Sequence, residues 1–150
     1  MDKLKSIDGV ILSPLKIIEN PLGNIFHVMK SSDLGFMGFN EAYFSTINYN
    51  QVKPWKKHLK MTLNLIVPVG EIRFVLYDER KNSDSYSKFL DLSLSQKNYQ
   101  RLTVPPNVWV SFKGVGNDLN LLLNVANLNH DPNEIIRKKI DSFKFNWDSG

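Results

Sequence analysis

Met61-Thr-Leu-Asn-Leu-Ile-Val67, then Pro68 and Gly70, then Ile72-Arg-Phe-Val-Leu-Tyr-Asp78: two alternating runs, parted by a proline and a glycine. Successive side chains of a strand point to opposite faces. Ile72, Phe74 and Leu76 therefore share one face, and Arg73, Val75 and Tyr77 the other. Working outward, the same pattern makes strands of residues 41–47, 89–94, 101–104, 108–112 and 119–127, with Asn48-Tyr49-Asn50 as a turn. Many short strands separated by turn residues predict an all-β sandwich or barrel. Helix is scarce. Asp131, Pro132 and Glu134 stand at the offsets of a helix cap, a first-turn proline and a capping-box carboxylate, which predicts one short C-terminal helix over 131–138. Phe143, Phe145 and Trp147 then alternate, as either a last edge strand or a segment packed back on the barrel.

The 150 residues are 42% hydrophobic and 23% charged, a composition that folds rather than staying disordered, and the length suits a single domain over 1–150. The chain has no cysteine, which excludes disulfides, thiolate metal sites and a cysteine nucleophile and fits a reducing compartment. Val10-Ile11-Leu12 is too short for a signal-peptide core or a membrane span, so a soluble, cytoplasmic protein without a membrane partner is expected. A nucleic-acid binder would cluster its basic residues more densely than this chain with its mild net charge of +4, so no nucleic-acid partner is expected.

Residues 53–64 carry the functional reading. At period two, Lys56, His58, Lys60, Thr62 and Asn64 share a face, and Trp55, Leu59, Met61, Leu63 and Leu65 share the other. Either the polar face is solvated over an apolar core face, or it lines a ligand cavity in a barrel mouth. Trp55, Met61 and Leu63 would then need cover, which predicts a homodimer. His27 and His130 stand at no ligand spacing from His58, so neither a metal nor another cofactor is expected. Gly35/Gly38 and Gly114/Gly116 lack the spacing of a phosphate-binding loop and read as turns.

Several segments in order resemble the dTDP-4-dehydrorhamnose 3,5-epimerase family. That family's Phe-x-Gln-Asp-Asn-x-Ser, followed by Arg-Gly-Leu-His-x-Gln, is similar to Phe39-Asn-Glu-Ala-Tyr-Phe-Ser45 and Lys53-Pro-Trp-Lys-Lys-His58. Gly70-Glu-Ile72, Asp78-Glu-Arg80, the loop from Ser83 to Phe89, Leu94-Ser-Gln-Lys-Asn98 and Leu102-Thr-Val-Pro105 follow in family order. Near the start, Asn20-Pro-Leu-Gly-Asn-Ile-Phe26 is similar to the family's Asp-x-Arg-Gly-x-Phe. The resemblance covers roughly residues 15–130. It implies a cupin-type double-stranded β-helix (a jelly-roll barrel), a dimer exchanging N-terminal strands and a nucleotide-sugar ligand.

The departures fall on the chemistry. The resemblance puts Lys56 where the family has its general-base His, Lys53 at its guanidinium, Glu41 at its Gln and Val110 at its second His. It also implies that the aspartate partner of the catalytic His lies beyond the end of this chain. Lys56 can serve as a base if burial or its cationic neighbours lower its pKa; otherwise it pairs with a diphosphate or a carboxylate such as Glu41. In the enzymatic reading the chain epimerises or isomerises a dTDP-4-keto-6-deoxyhexose for surface polysaccharide. Lys56 or His58 shuttles the proton with Tyr43 or Glu41 assisting, and Lys53, Arg73 and Asn64 hold the substrate. The competing readings are a non-catalytic sugar-nucleotide-binding cupin that lost the base, and an unrelated β-domain with a solvated lysine face.

Overall fold

A computed structural model describes residues 6–149; residues 1–5 and 150 of the expected domain lie outside the described residues. The strands are β1 (Ile11–Pro14), β2 (Ile17–Ile18), β3 (Ile25–Phe26), β4 (Glu41–Thr46), β5 (Val52–His58) and β6 (Leu63–Val69), then β7 (Glu71–Asp78), β8 (Phe89–Ser95), β9 (Gln100–Val104), β10 (Val108–Gly114), β11 (Leu121–Ala126) and β12 (Ile135–Lys138). Two antiparallel five-stranded sheets run β1-β9-β6-β11-β4 and β12-β5-β10-β7-β8, with β2 and β3 as a separate hairpin. From β4 onward the chain changes sheet at every connection except β7 to β8, which is the jelly-roll double winding.

The opening pair of runs sits on that crossover. β6 lies in the first sheet and β7 in the second, and Gly70 makes the corner at φ 81°. A Cβ there would stand 2.3 Å from the Leu119 carbonyl oxygen, so only glycine fits. Leu63, Leu65, Val67, Leu102 and Leu122 from one sheet meet Ile72, Phe74, Leu76, Val108 and Val110 from the other, all buried. This core fills the barrel below its mouth.

Three expectations are corrected. The helix over 131–138 is instead a 3-10 turn, Pro132–Glu134, followed directly by β12. The Asp131 side chain does accept from the Asn133 N–H at 3.0 Å, but the β-branched Ile135 and Ile136 then continue as a strand paired with β5. The parity drawn through 53–64 does not hold either, because the stretch is two strands in different sheets joined by residues 59–62. Finally, the apolar face that called for a partner is covered from within. Met61 and Leu63 belong to the core, and Trp55 is buried on the outer face of the second sheet.

There Trp55, Val75 and Trp109 are covered by Tyr77, Phe89 and the C-terminal Ile140, Phe143, Phe145 and Trp147. Trp55 Nε1 donates to the Ile140 carbonyl at 3.1 Å, and Phe143 packs edge-on against the Trp55 ring. The tail is thus packed back on the barrel and is not an edge strand. No helix of the described residues is long and apolar enough to cross a membrane.

Candidate active site

The barrel mouth holds a cavity of about 620 Å³, within the usual range of small-molecule sites. Leu63, Leu65, Val110, Phe112 and Leu122 form its apolar wall, and Tyr43, Ser45, Lys53, Lys56, His58, Asn124, Arg137 and Lys139 bring polar groups to it.

β5 carries most of the chemistry, and a bulge arranges it. Lys56 lies opposite Val110 and Lys53 opposite Phe112, so Pro54 and Trp55 together face the single residue Ser111. Proline suits a bulge because it has no N–H to give the ladder. The extra residue turns Lys53 and Lys56 to the same, inner face, although strict alternation would part them. Lys53 Nζ donates to the Thr46 carbonyl at 2.9 Å and lies 5.4 Å from the centre of the Phe112 ring. Lys56 is half-buried, and its ammonium makes no hydrogen bond or ion pair among the described residues. Burial lowers its pKa, with Arg137 and Lys53 acting the same way against a weaker pull from Glu134.

His58 ends the strand, and its ring Nδ1 is bonded to Glu134 Oε1. The other Glu134 oxygen accepts from the Lys60 and Met61 N–H groups at 3.0 and 3.2 Å. Burial works to raise the Glu134 carboxyl, but these hydrogen bonds, that of His58 foremost, outweigh it and hold the group below the usual carboxylate range. Burial also lowers His58 below its ordinary 6.5, aided by Lys56 and Arg137 and opposed by the Glu134 bond. The imidazole is therefore neutral at pH 7, donating from Nδ1 and leaving Nε2 as the basic nitrogen. Nε2 is buried and has no hydrogen-bond partner among the described residues. An unpaired buried nitrogen costs roughly 1–3 kcal/mol, a cost that a ligand proton would relieve.

β12 completes the wall. It pairs with β5 so that Arg137 lies opposite Lys56 and Ile135 opposite His58. From the facing sheet, Asn124 of β11 lies opposite Tyr43 of β4, and its side-chain N–H donates to the Tyr43 phenol oxygen at 3.0 Å. With the oxygen occupied as an acceptor, the Tyr43 proton is free for a ligand.

Of the residues singled out in the sequence, Tyr43, Lys53, Lys56 and His58 share this cavity. Asn64 and Arg73 do not. Asn64 lies on the opposite face of β6, donating to the Gly35 carbonyl at 3.0 Å and accepting from Thr103 Oγ1 at 2.6 Å. Arg73 points out of the barrel, where its guanidinium takes both Asp91 oxygens at 2.8 Å and the Trp147 and Ser149 carbonyls at 2.8 and 2.7 Å. Parity is the reason: Arg73 shares its face with Val75 and Tyr77, under the C-terminal tail. Glu41 sits at the start of β4 opposite Ala126, outside the cavity lining. Sequence reasoning missed Glu134, Arg137 and Asn124. The carboxylate behind the His58 imidazole is Glu134, 76 residues along the chain. Among the described residues no three His, Cys, Asp or Glu side chains gather as metal ligands.

No family model matches the chain. A dTDP sugar isomerase from Desulfovibrio desulfuricans, known from its crystal structure, is 33% identical and superposes with a TM-score of 0.91 over 96% of this chain and 94% of that one. The dTDP-4-dehydrorhamnose 3,5-epimerase of Elizabethkingia anophelis shares the fold at 13% identity, with a TM-score of 0.81 over 96% of this chain and 84% of that one. A probable low-salt glycan biosynthesis epimerase of Haloferax volcanii is 24% identical over 123 residues, 81% of this chain and 79% of the relative.

Proposed function

The chain belongs to the family of dTDP-sugar isomerases and epimerases, and from that premise we propose that it is a working enzyme that moves protons on the carbons flanking the keto group of a dTDP-4-keto-6-deoxyhexose. The observation that carries this reading is the His58–Glu134 pair: a neutral imidazole in the cavity wall, oriented by an ionised carboxylate and unpaired at Nε2. Such a pair is a general base. Tyr43, its proton uncommitted, stands on the facing sheet as the donor to the developing enolate oxygen or to carbon. Lys56, Lys53 and Arg137 supply the positive charge that an enolate and a diphosphate require. The sugar enters between the two sheets, against the apolar wall of Leu63, Leu65 and Leu122. The same reading makes the protein a cytoplasmic contributor of deoxysugars to surface glycans, with the nucleotide sugar as its ligand.

The test is proton exchange. Incubation with dTDP-4-keto-6-deoxyglucose in deuterated water should place deuterium at carbons beside the ketone, read by mass spectrometry and NMR. His58→Asn should slow that exchange by about 100-fold or more, the usual range for a general base. Tight binding of the nucleotide sugar with no exchange would instead make the chain a binding protein and end this reading.

A further inference from the structure

We propose that Lys56 is a covalent catalyst whose amine condenses with the keto carbon of the sugar, so that His58 removes its proton from beside an iminium instead of a ketone. The inference rests on the keto-sugar reading of the cavity and goes beyond a lysine that lends only charge.

Placement makes the case. Lys56 projects from the inner face of β5 into the cavity, two residues from His58 along the same strand, a separation of about 7 Å at the backbone. Among the described residues no carboxylate of the cavity is free to pair with it. Glu134 is committed to His58 and to the N–H groups of Lys60 and Met61. The bulge at Pro54 and Trp55 brings Lys53 to its face, and the β12 register puts Arg137 directly across from it. Apolar walls and two neighbouring cations shift a lysine toward its neutral amine, the form that attacks carbonyl carbon. Burial and both neighbouring cations do lower the Lys56 pKa. Three neighbouring cations are unsuited. Lys53 is bound to the Thr46 carbonyl, Lys57 lies over the Trp109 ring on the outer face, and a guanidinium stays protonated.

The step balances without an external oxidant or reductant. The Lys56 nitrogen lone pair adds to the carbonyl carbon, the carbonyl π pair moves to oxygen, and the nitrogen gives that oxygen one of its two protons. A second proton, from solvent water, lets the oxygen leave as water as the freed nitrogen lone pair closes the C=N bond. His58 Nε2 then takes the proton from a flanking carbon. The released C–H pair becomes C=C, and the C=N π pair returns to nitrogen as an enamine. Protonation of the same carbon from the other face, by Tyr43, restores the iminium with inverted configuration. Water adds to it and expels Lys56, regenerating the ketone. Moving the ketone to the neighbouring carbon by this route would leave nitrogen on the sugar as a stable secondary amine. The route therefore serves epimerisation and not ketone transposition.

The experiment is reductive trapping of the full chain with dTDP-4-keto-6-deoxyglucose and sodium cyanoborohydride, followed by intact-mass measurement and peptide mapping. One adduct per chain is expected, on Lys56. It should be absent from Lys56→Arg and Lys56→Gln, checked for folding by circular dichroism. Lys56→Arg, which keeps the charge, should also lose deuterium exchange, and the wild-type product should retain its ketone position. Exchange that survives in Lys56→Arg, an adduct spread over Lys53, Lys57 and surface lysines, or a product with a moved ketone would overturn this inference and leave the general-base reading of His58 intact. A Lys56 adduct in a protein that shows no exchange would support the amine chemistry while overturning the isomerase reading. Neither adduct nor exchange would overturn both.

Discussion

An imidazole with one nitrogen tied to a carboxylate has a single tautomer to offer, and in His58 that leaves Nε2 as the only site for a proton. The charges around the ring then set the pH at which it works. Burial, Lys56 and Arg137 hold His58 below 6.5, so the neutral, basic form persists as pH falls through that value. Exchange should stay level down through pH 6.5 and decline only at more acidic pH, as His58 takes up its proton. The neighbours make this falsifiable in both directions. Arg137→Ala removes a cation that disfavours the imidazolium, so its acid limb should shift to higher pH. Glu134→Gln removes the charge that favours the imidazolium, so its limb should shift to lower pH, with a reduced plateau as the ring loses its orientation. Rate profiles of the three proteins between pH 4 and 8 decide the matter; coincident limbs would detach His58 from catalysis. Little of this pairing was legible in the sequence. Lys53, Lys56 and His58 stand out because 56, 58, 60, 62 and 64 share a polar face at period two and because 53–58 is similar to the family's Arg-Gly-Leu-His-x-Gln segment. Glu134 instead looked like part of a helix cap, and only the pairing of β12 with β5 brings it to the ring.

At the scale of elements, the strands were readable because each sets apolar residues at period two toward the core, and β6, β7, β9 and β10 fall close to where that periodicity puts them. The failures share a cause. Alternation predicts which residues share a face only within one strand, and it breaks at the β5 bulge and again between β5 and β6. Hence Lys53 turns into the cavity, while Asn64 turns away from it. The Arg73 misplacement is different in kind. Period two sets Arg73 with Val75 and Tyr77 against Ile72, Phe74 and Leu76, but it does not say which face is the inner one, and the tail that fastens onto Arg73 lies too far along the chain to be inferred. Arg73 ties β7 to Asp91 of β8 and to two backbone carbonyls of the tail. Arg73→Ala should therefore lower stability by about 1–3 kcal/mol in a urea titration, through lost charge-assisted bonds. The KM for the nucleotide sugar should stay unchanged. A raised KM at unaltered stability would return Arg73 to substrate binding.

For the whole molecule the question is what the two sheets need from outside themselves. The first sheet ends in β4, an edge strand whose Phe44 is 63% exposed, and the β2–β3 hairpin holds out Leu22 and Ile25 at 99% and 58%. The second sheet needs nothing, because residues 140–147 already lie over Trp55, Tyr77, Phe89 and Trp109. A homodimer would draw on the exposed apolar residues of β4 or of the hairpin and not on the covered second sheet, so a chain cut after Lys139 should still be able to pair. That shortened chain nevertheless uncovers four aromatic side chains and leaves Arg73 without its Trp147 and Ser149 carbonyl acceptors. Each large buried apolar side chain contributes roughly 1.5–3 kcal/mol, so losing the cover removes a sizeable part of the about 5–15 kcal/mol that holds a typical domain together. We expect light scattering at tens of micromolar to report a dimer for the intact chain. The shortened chain should form larger aggregates that bind a hydrophobic dye, with a melting temperature lowered by 10 °C or more on the ~2–4 °C per kcal/mol expected of a domain this size. If shortening converts a dimer cleanly to a stable monomer, the tail is itself the subunit interface, and the aromatic face of the second sheet is where two copies meet.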